Sequence, residues 1–285
     1  MTEALDLDHL RSWIDRTETR DDLLSPWTAT ALAATLRNDE RAWLAGDALP
    51  PLWHWCYFLP TAPQNQLGPD GHPARGGFLP PVPLPRRMWA ASRLEFFAPL
   101  QLAVPARKTS RVMDVKPKQG KGGALVFVTV EHKVHAGSTL LLREEHDIVY
   151  REAPKPGESA PPQSPPAEPA WTVEHRPDEP LLFRYSALTL NSHRIHYDHP
   201  YTTQVEGYAG LVVHGPLIAT LLLEAAQQNN PGRAVRGYSF RAVRPLMCGQ
   251  LLRVRGHAAQ ADGSVTLWAE DAQGALLMQA TAQLA

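Results

Sequence analysis

The 285-residue chain predicts an α+β architecture in which two helices are each wrapped by a curved antiparallel sheet. Three observations carry this expectation. From Pro216 to about residue 228 the apolar side chains run around most of a helix girth, with Leu217, Ile218, Leu221, Leu222 and Ala225 on one side and Ala219, Leu223 and Ala226 elsewhere. A helix apolar on nearly every face is a buried one. Runs of alternating apolar and polar residues follow it, the period of strands with one face in a core. A helix signal followed by such runs also occurs in the first half, so the order repeats although the two halves share no visible sequence similarity.

In chain order, Leu7, Leu10, Trp13 and Ile14 recur at helical spacing. Ser25 reads as an N-cap and Pro26 as the first residue of a second helix reaching about Leu36. After a Pro-rich irregular region, strands are predicted at 88–97, 102–115, 124–135 and 139–151. Val126, Val128 and Val130, which alternate with Phe127, Thr129 and Glu131, give the clearest period of two. Ala136-Gly137-Ser138 reads as a hairpin turn. The run Gly120-Lys121-Gly122-Gly123 reads as a hairpin tip; it lacks the Lys-Ser/Thr pair and helix of a phosphate loop. Residues 153–170, rich in Pro, Ser and Glu, cannot bury enough surface to offset their ordering entropy and are predicted to be an exposed linker. It separates an N-terminal unit, 1–152, from a C-terminal unit, 171–285. There a strand at 181–190 is predicted to lead through a polar stretch to the buried helix, then to strands at 235–243, 250–259, 264–270 and 275–282. Asp271 to Gly274 form the last turn.

The 28 basic and 29 acidic residues nearly cancel, which argues against a broad nucleic-acid or anionic-membrane footprint. Cys56 and Cys248 stand far apart without C-x-x-C spacing, which points to a reducing compartment and no disulfide framework. The N-terminus lacks the layout of a signal peptide, and no apolar run approaches the roughly 20 residues that span a bilayer. A soluble, cytoplasmic protein is expected.

The most informative stretch runs from Phe183 to Glu224. It places histidines and an Asn/Asp set ahead of the buried helix, which is entered through His214-Gly215-Pro216. A polar cluster before the bare amides of a helix N-terminus suits a reaction that develops negative charge on a carbonyl oxygen, as on a thioester. The segment from Tyr185 to His196 (YSALTLNSHRIH), followed by Gly210 to Pro216 (GLVVHGP), resembles the hydratase signature of the MaoC-like (R)-specific enoyl-CoA hydratases. NSHRIHYD, with GHPARGGFLPPVPLPRRMW and DIVYRE of the first half, resembles one subgroup more closely. That subgroup contains the double hot-dog mesaconyl-C4-CoA and itaconyl-CoA hydratases and the mitochondrial-type 3-hydroxyacyl-thioester dehydratases. The resemblance covers most of the chain outside the linker and implies a double hot-dog fold with the chemistry in the second half.

Residue by residue, it places His196 at the catalytic histidine and Asn191 at the catalytic aspartate. His193 stands at the motif's asparagine, Arg194 at its proline and Leu190 at its glycine. An amide does not take up a proton near neutral pH, so Asn191 departs from the pattern. Hydration of an α,β-unsaturated thioester needs a base for water, an acid for Cα and donors for the enolate oxygen. His196 has the titration range for acid or base work, Asn191 is suited to hold the water, and the Gly215 N–H is the candidate oxyanion donor. Asp198 either orients an imidazole, supplies the missing carboxylate, or caps a helix. His214 is expected to lock the turn before the helix.

Tyr185 and Arg184, read as alternating along a strand, Gly210, and Arg194 are candidate substrate contacts, an arginine being suited to a substrate carboxylate. Arg86 and Arg87 are candidates for phosphate groups, following a Pro-rich segment that either lines the acyl tunnel or is a plain packed connection. His193, His196 and His199 recur every three residues, yet Arg194 within and Pro200 after them disfavour a metal cage, and no metal or cofactor is expected.

The leading expectation is a cofactor-free hydro-lyase acting on a short C5 dicarboxylic enoyl-CoA, with itaconyl-CoA or mesaconyl-C4-CoA on one side and citramalyl-CoA on the other. A 3-hydroxyacyl dehydratase serving acyl carrier protein, a non-catalytic acyl-thioester-binding protein, and a thioesterase are the alternatives. A CoA thioester is the expected partner, neither nucleic acid nor membrane is, and a homodimer is the expected assembly.

Overall fold

Alternation along the strands builds one antiparallel sheet. In the computed structural model, which describes residues 5–36, 41–120, 123–153, 162–166 and 168–285, Val126, Val128 and Val130 point inward and are essentially fully buried, as their spacing predicts. Lys121 and Gly122 of the predicted hairpin tip, and residues 154–161 and 167 of the predicted linker, lie outside the described residues.

The elements are α1 (Leu7–Arg11), β1 (Thr17–Asp22), α2 (Pro26–Leu36), β2 (Arg86–Phe96), β3 (Ala106–Gly120), β4 (Gly123–Ala136), β5 (Thr139–Arg151), β6 (Trp171–His175), α3 (Glu179–Leu188), α4 (His199–Gln204), α5 (Gly215–Gln228), β7 (Val235–Ala242), β8 (Leu252–Gly256), β9 (Ser264–Glu270) and β10 (Leu276–Leu284). The strand order is β1-β3-β4-β5-β2-β7-β10-β9-β8-β6. Read inward from each edge, the two halves follow the same path: 1-3-4-5-2 and 6-8-9-10-7. Each half therefore lays down an edge strand, a helix, a central strand and a three-stranded meander, and β2 meets β7 at the seam, with Ser92 opposite Phe240 and Leu94 opposite Tyr238. This is a double hot-dog fold.

Helix α5 is the spine of the second half. Every residue from Leu217 to Ala226 is buried, and it packs against β7, β8, β9 and β10. Each leucine buried there contributes about 1.5–3 kcal/mol. The Tyr238 hydroxyl donates to the Ala219 carbonyl at 2.9 Å. The indole N–H of Trp53, in the 3-10 turn Trp53–Cys56, donates to the buried Glu224 carboxylate at 2.9 Å and ties the first half to α5. Leu24 and Leu32 join Leu217, Leu222 and Phe240 in one core that crosses the seam. Among the described residues no helix is long and apolar enough to cross a membrane.

Two expectations need correction, and one strand was not foreseen. Residues 181–190 are not a strand: Asp178 accepts the Leu181 N–H at 3.0 Å as an N-cap, Pro180 occupies the first turn, and Leu182 and Tyr185 turn a buried face inward as α3. The strand of this region is β6, immediately upstream. The edge strand β1, whose charged sequence TETRDD carries no apolar alternation, is also missed by periodicity. In the predicted strand 102–115, pairing begins only at Ala106, because Ala103 takes a left-handed turn with φ +61°.

Candidate active site

The motif begins where α3 stops. Leu190 adopts φ +47°, and Asn191 donates its N–H back to the Ser186 carbonyl at 2.9 Å. Glycine takes this conformation without steric cost, whereas leucine holds it at a cost of about 1 kcal/mol. Asn191 Oδ1 accepts the His193 N–H at 3.1 Å, which leaves the Nδ2 amide as a donor.

The 3-10 turn Arg194–His196 delivers a buried His196. Its Nδ1 lies 2.7 Å from the Val212 carbonyl. A carbonyl only accepts, so the ring proton sits on Nδ1 and Nε2 is the nitrogen with a free lone pair. Val212 is itself held, its N–H on Ile195 at 2.9 Å and its strand-like pairing on Met247. His214 stacks on His196 with ring centroids 3.6 Å apart and planes 18° apart. Ser186 Oγ lies 2.8 Å from His214 Nε2, and Tyr185 meets the same ring edge-on at 5.0 Å. Gly215 follows as the first residue of α5. No side chain caps this helix and the Gly215 N–H has no acceptor among the described residues. A Cβ placed on Gly215 would meet nothing within 4 Å, so open space adjoins its Cα. A bare helix N-terminus beside open space suits a developing oxyanion.

A first-half loop completes the cluster. His72 packs on His193 with centroids 4.1 Å apart, and His193 stands edge-on to His196 at 5.6 Å. Asp70 Oδ2 lies 3.1 Å from His72 Nδ1, and Asp70 Oδ1 accepts the His72 N–H at 3.0 Å. The loop is sewn to the motif: the Arg194 N–H donates to Asp70 O at 2.9 Å, the Arg194 guanidinium to Pro69 O at 3.0 Å, and Ser192 Oγ to Gly71 O. Gly71, at φ +88°, is buried so closely that a Cβ would lie 1.9 Å from the Ser192 carbonyl oxygen.

The result is a row of four imidazoles: His72, His193, His196 and His214. Burial, opposed by the Val212 bond, pushes His196 down to about 4. Burial and the neighbouring His72 and His196 push His193 down to about 2. His214 is driven well below its usual range by burial, and His72 is lowered by burial and the charge of Arg87 against the pull of Asp70. The Asp70 carboxyl, although desolvated, is held below the usual carboxylate range by His72 and Arg87. At neutral pH the row is uncharged beside one ionised carboxylate.

Not every predicted contact belongs here. Asp198 does not reach an imidazole; its carboxylate caps α4 by accepting the Tyr201 N–H at 3.1 Å and binds Arg194 at 2.9 and 2.7 Å. Arg194, so paired and stacked 4.0 Å over Tyr201, braces the loop rather than meeting a substrate. Arg184 is exposed on α3, and Tyr185 is buried behind His214. Arg86 forms an ion pair with Glu206 at 3.2 Å and lies over Tyr208, so its charge is not free for a phosphate. Arg87 makes no ion pair among the described residues, and its charge is felt at Asp70, His72 and His193. Gly210 leaves open space around its Cα. His199 is exposed at the start of α4, so the three-residue histidine series does not assemble. Instead Asp70, His72 and His193 each bring one nitrogen or oxygen within 4.8 Å of the others. The Pro-rich segment is a packed connection: Val82 and Leu84 are buried, and Arg75 donates to the Val82 and Pro85 carbonyls at 2.6 and 2.8 Å. Asp70, His72 and Ser186 are the site residues that sequence reasoning passes over. Asp70-Gly71-His72-Pro73, polar and turn-forming in a region without periodicity, was the available signal.

The family described as hydroxyacyl-thioester dehydratase type 2 matches residues 52–248. The mesaconyl-C4-CoA hydratase of Chloroflexus aurantiacus is 47% identical over 275 residues, which cover 96% of this chain and 97% of that protein. Among solved structures, a MaoC-like dehydratase from Phytophthora capsici superposes with a TM-score of 0.69 at 16% identity, covering 99% of both chains. A Mycobacterium tuberculosis protein described as having a double hot-dog fold superposes with a TM-score of 0.53 at 16% identity, covering 95% of this chain and 96% of the other. At such identities the two structures speak for the fold alone.

Proposed function

The chain belongs to the hydroxyacyl-thioester dehydratase type 2 family and is a hydro-lyase acting on CoA thioesters, and we propose that its substrate is mesaconyl-C4-CoA, hydrated to citramalyl-CoA. The observation that carries this reading is a neutral His196, its proton fixed on Nδ1 and its ring stacked on His214, the residue immediately before the uncapped Gly215 amide. A conjugated thioester whose carbonyl oxygen accepts the Gly215 N–H becomes electron-poor at Cβ. Water then adds there while charge gathers on that oxygen; a donor so placed is worth about 3–4 kcal/mol of transition-state stabilisation. His196 Nε2 and the Asn191 amide hold the water.

In mesaconyl-C4-CoA the carbon that takes the hydroxyl carries a methyl group and a free carboxylate. Arg87 is the arginine suited to that carboxylate, because Arg86 and Arg194 are committed to Glu206 and Asp198. The similarity to the Chloroflexus hydratase supports the same substrate. Itaconyl-CoA yields the same product but lacks conjugation with the thioester.

The test is loss of enoyl-thioester ultraviolet absorbance across mesaconyl-C4-CoA, crotonyl-CoA and a long-chain enoyl-CoA. Mesaconyl-C4-CoA is expected to be the best substrate. Arg87→Gln should lower its kcat/KM by on the order of 10²-fold while changing crotonyl-CoA little, the size expected for losing a charge-assisted pair. Preference for the long chain, or equal losses on both short substrates, would exclude the dicarboxylic reading.

A further inference from the structure

Asn191 stands where the family places a carboxylate, so the motif offers imidazoles but no carboxylate to take the proton. His196, however, has a neutral partner behind it. Its Nδ1–H meets the Val212 carbonyl, and no anion backs the ring to stabilise a positive charge. His72 differs. An ionised Asp70 lies 3.1 Å from its Nδ1, fixes the proton on that nitrogen, and leaves Nε2 as the acceptor. This is the arrangement by which a carboxylate orients an imidazole and stabilises the imidazolium that forms when it takes a proton. The first-half loop that carries the pair is bonded to the motif at three points, through Arg194 N, the Arg194 guanidinium and Ser192 Oγ. Gly71 permits the approach, with no room for even a Cβ.

We propose that His72 is a second catalytic residue, oriented by Asp70, and that this pair supplies from the first half the carboxylate-backed proton carrier missing from the motif. The proposal rests on the hydratase reading above. Water, hydrogen-bonded to His196, attacks Cβ. Its oxygen forms the new C–O bond as one of its protons passes to His72 Nε2. The π pair of the double bond moves into the enolate, whose oxygen meets the Gly215 N–H. The imidazolium of His72, facing Asp70, then returns that proton to Cα as the enolate collapses to the thioester. One water is added, and both imidazoles end as they began. In this scheme Asp70 is a positioning residue, kept ionised chiefly by its hydrogen bonds with His72.

Three variants test this with mesaconyl-C4-CoA. His72→Gln is expected to lower kcat by on the order of 10²–10⁴-fold, with KM within about threefold of wild type. His72→Ala should regain activity on addition of free imidazole, a rescue that a purely structural role would not show. Asp70→Asn should lower kcat less and move the acid limb of kcat/KM; the charged and titratable groups facing His72 are Asp70, Arg87, Arg75, His193 and His196. A His72→Gln enzyme within threefold of wild type, or a loss carried wholly by KM and not rescued by imidazole, overturns the proposal and leaves the hydratase reading intact. Loss of wild-type activity to a chelator, restored by zinc, also overturns it, since Asp70, His72 and His193 would then hold a cation. A wild-type enzyme that turns over none of the enoyl-CoA panel removes both.

Discussion

His196 is buried in a row with three other imidazoles, and its burial outweighs the Val212 carbonyl, the neighbour that favours a positive charge. Its free-enzyme acid form is therefore confined to low pH. Burial pushes His196 down to about 4 and lowers His72 as well, so the acid limb of kcat/KM should lie below the 6.5 of an ordinary histidine. Initial rates taken within seconds of dilution from neutral stock should stay level from pH 7.5 through the ordinary histidine range and fall only below it. A limb near 6.5 would mean the ring is solvated. The motif that holds His196 and Asn191 was legible because it is contiguous. The approach of the His72 loop was not: it meets the motif across 121 residues of chain, from Gly71 to Ser192, and no local periodicity encodes that contact.

The loop around Gly71 acts as an element despite lacking regular structure. Gly68 and Gly71 close a tight turn, with the Gly71 N–H donating to Gly68 O at 3.0 Å and the Gly68 N–H to His72 O at 2.7 Å. Gly71→Ala combines a left-handed backbone with a clash against the Ser192 carbonyl, so it should cost about 2–3 kcal/mol in urea unfolding and at least tenfold in kcat. Gly137→Ala, also left-handed but with nothing within 4 Å, is the control and should leave activity unchanged. Elements with strong local chemistry were readable in advance: the Ser25-Pro26 signal matches α2, which begins at Pro26 and ends at Leu36. α3 was misread because Leu181, Leu182 and Phe183 form a short apolar run that suits either period, although Asp178 and Pro180 already spelled a helix start.

At the scale of the whole molecule, buried imidazoles occur in both halves. Besides the active-site row, His132 and His146 flank the buried Glu144, which accepts from Ser92, Trp55 and His54 at 2.8, 3.1 and 3.2 Å. Burial pushes His132 to about 3 and His146 to about 4. Unfolded histidines take up protons near 6.5, whereas these refuse them until pH falls to about 4 or below. Between those limits the unfolded chain binds more protons, so stability is complete above pH 6.5 and declines toward pH 4. Each such histidine contributes up to about 1.4 kcal/mol per pH unit, so moving from pH 7.5 to 5.0 should remove roughly 3–6 kcal/mol from urea-unfolding stability. An unchanged midpoint would show that these rings protonate inside the fold. The twofold order of helix and strands was visible in the sequence as a pattern, whereas the joining of β2 to β7 was not, because nothing local specifies which central strands meet.

That repeated strand path has a further consequence. In an assembly of identical subunits, one substitution alters every helix entrance together, and each must stay fit for the same task. Here the α2 entrance, Ser25-Pro26, and the α5 entrance, His214-Gly215-Pro216, lie on one polypeptide and are free to diverge. The polar gateway stands at the second entrance alone, and the first half meets it through the Gly71 loop.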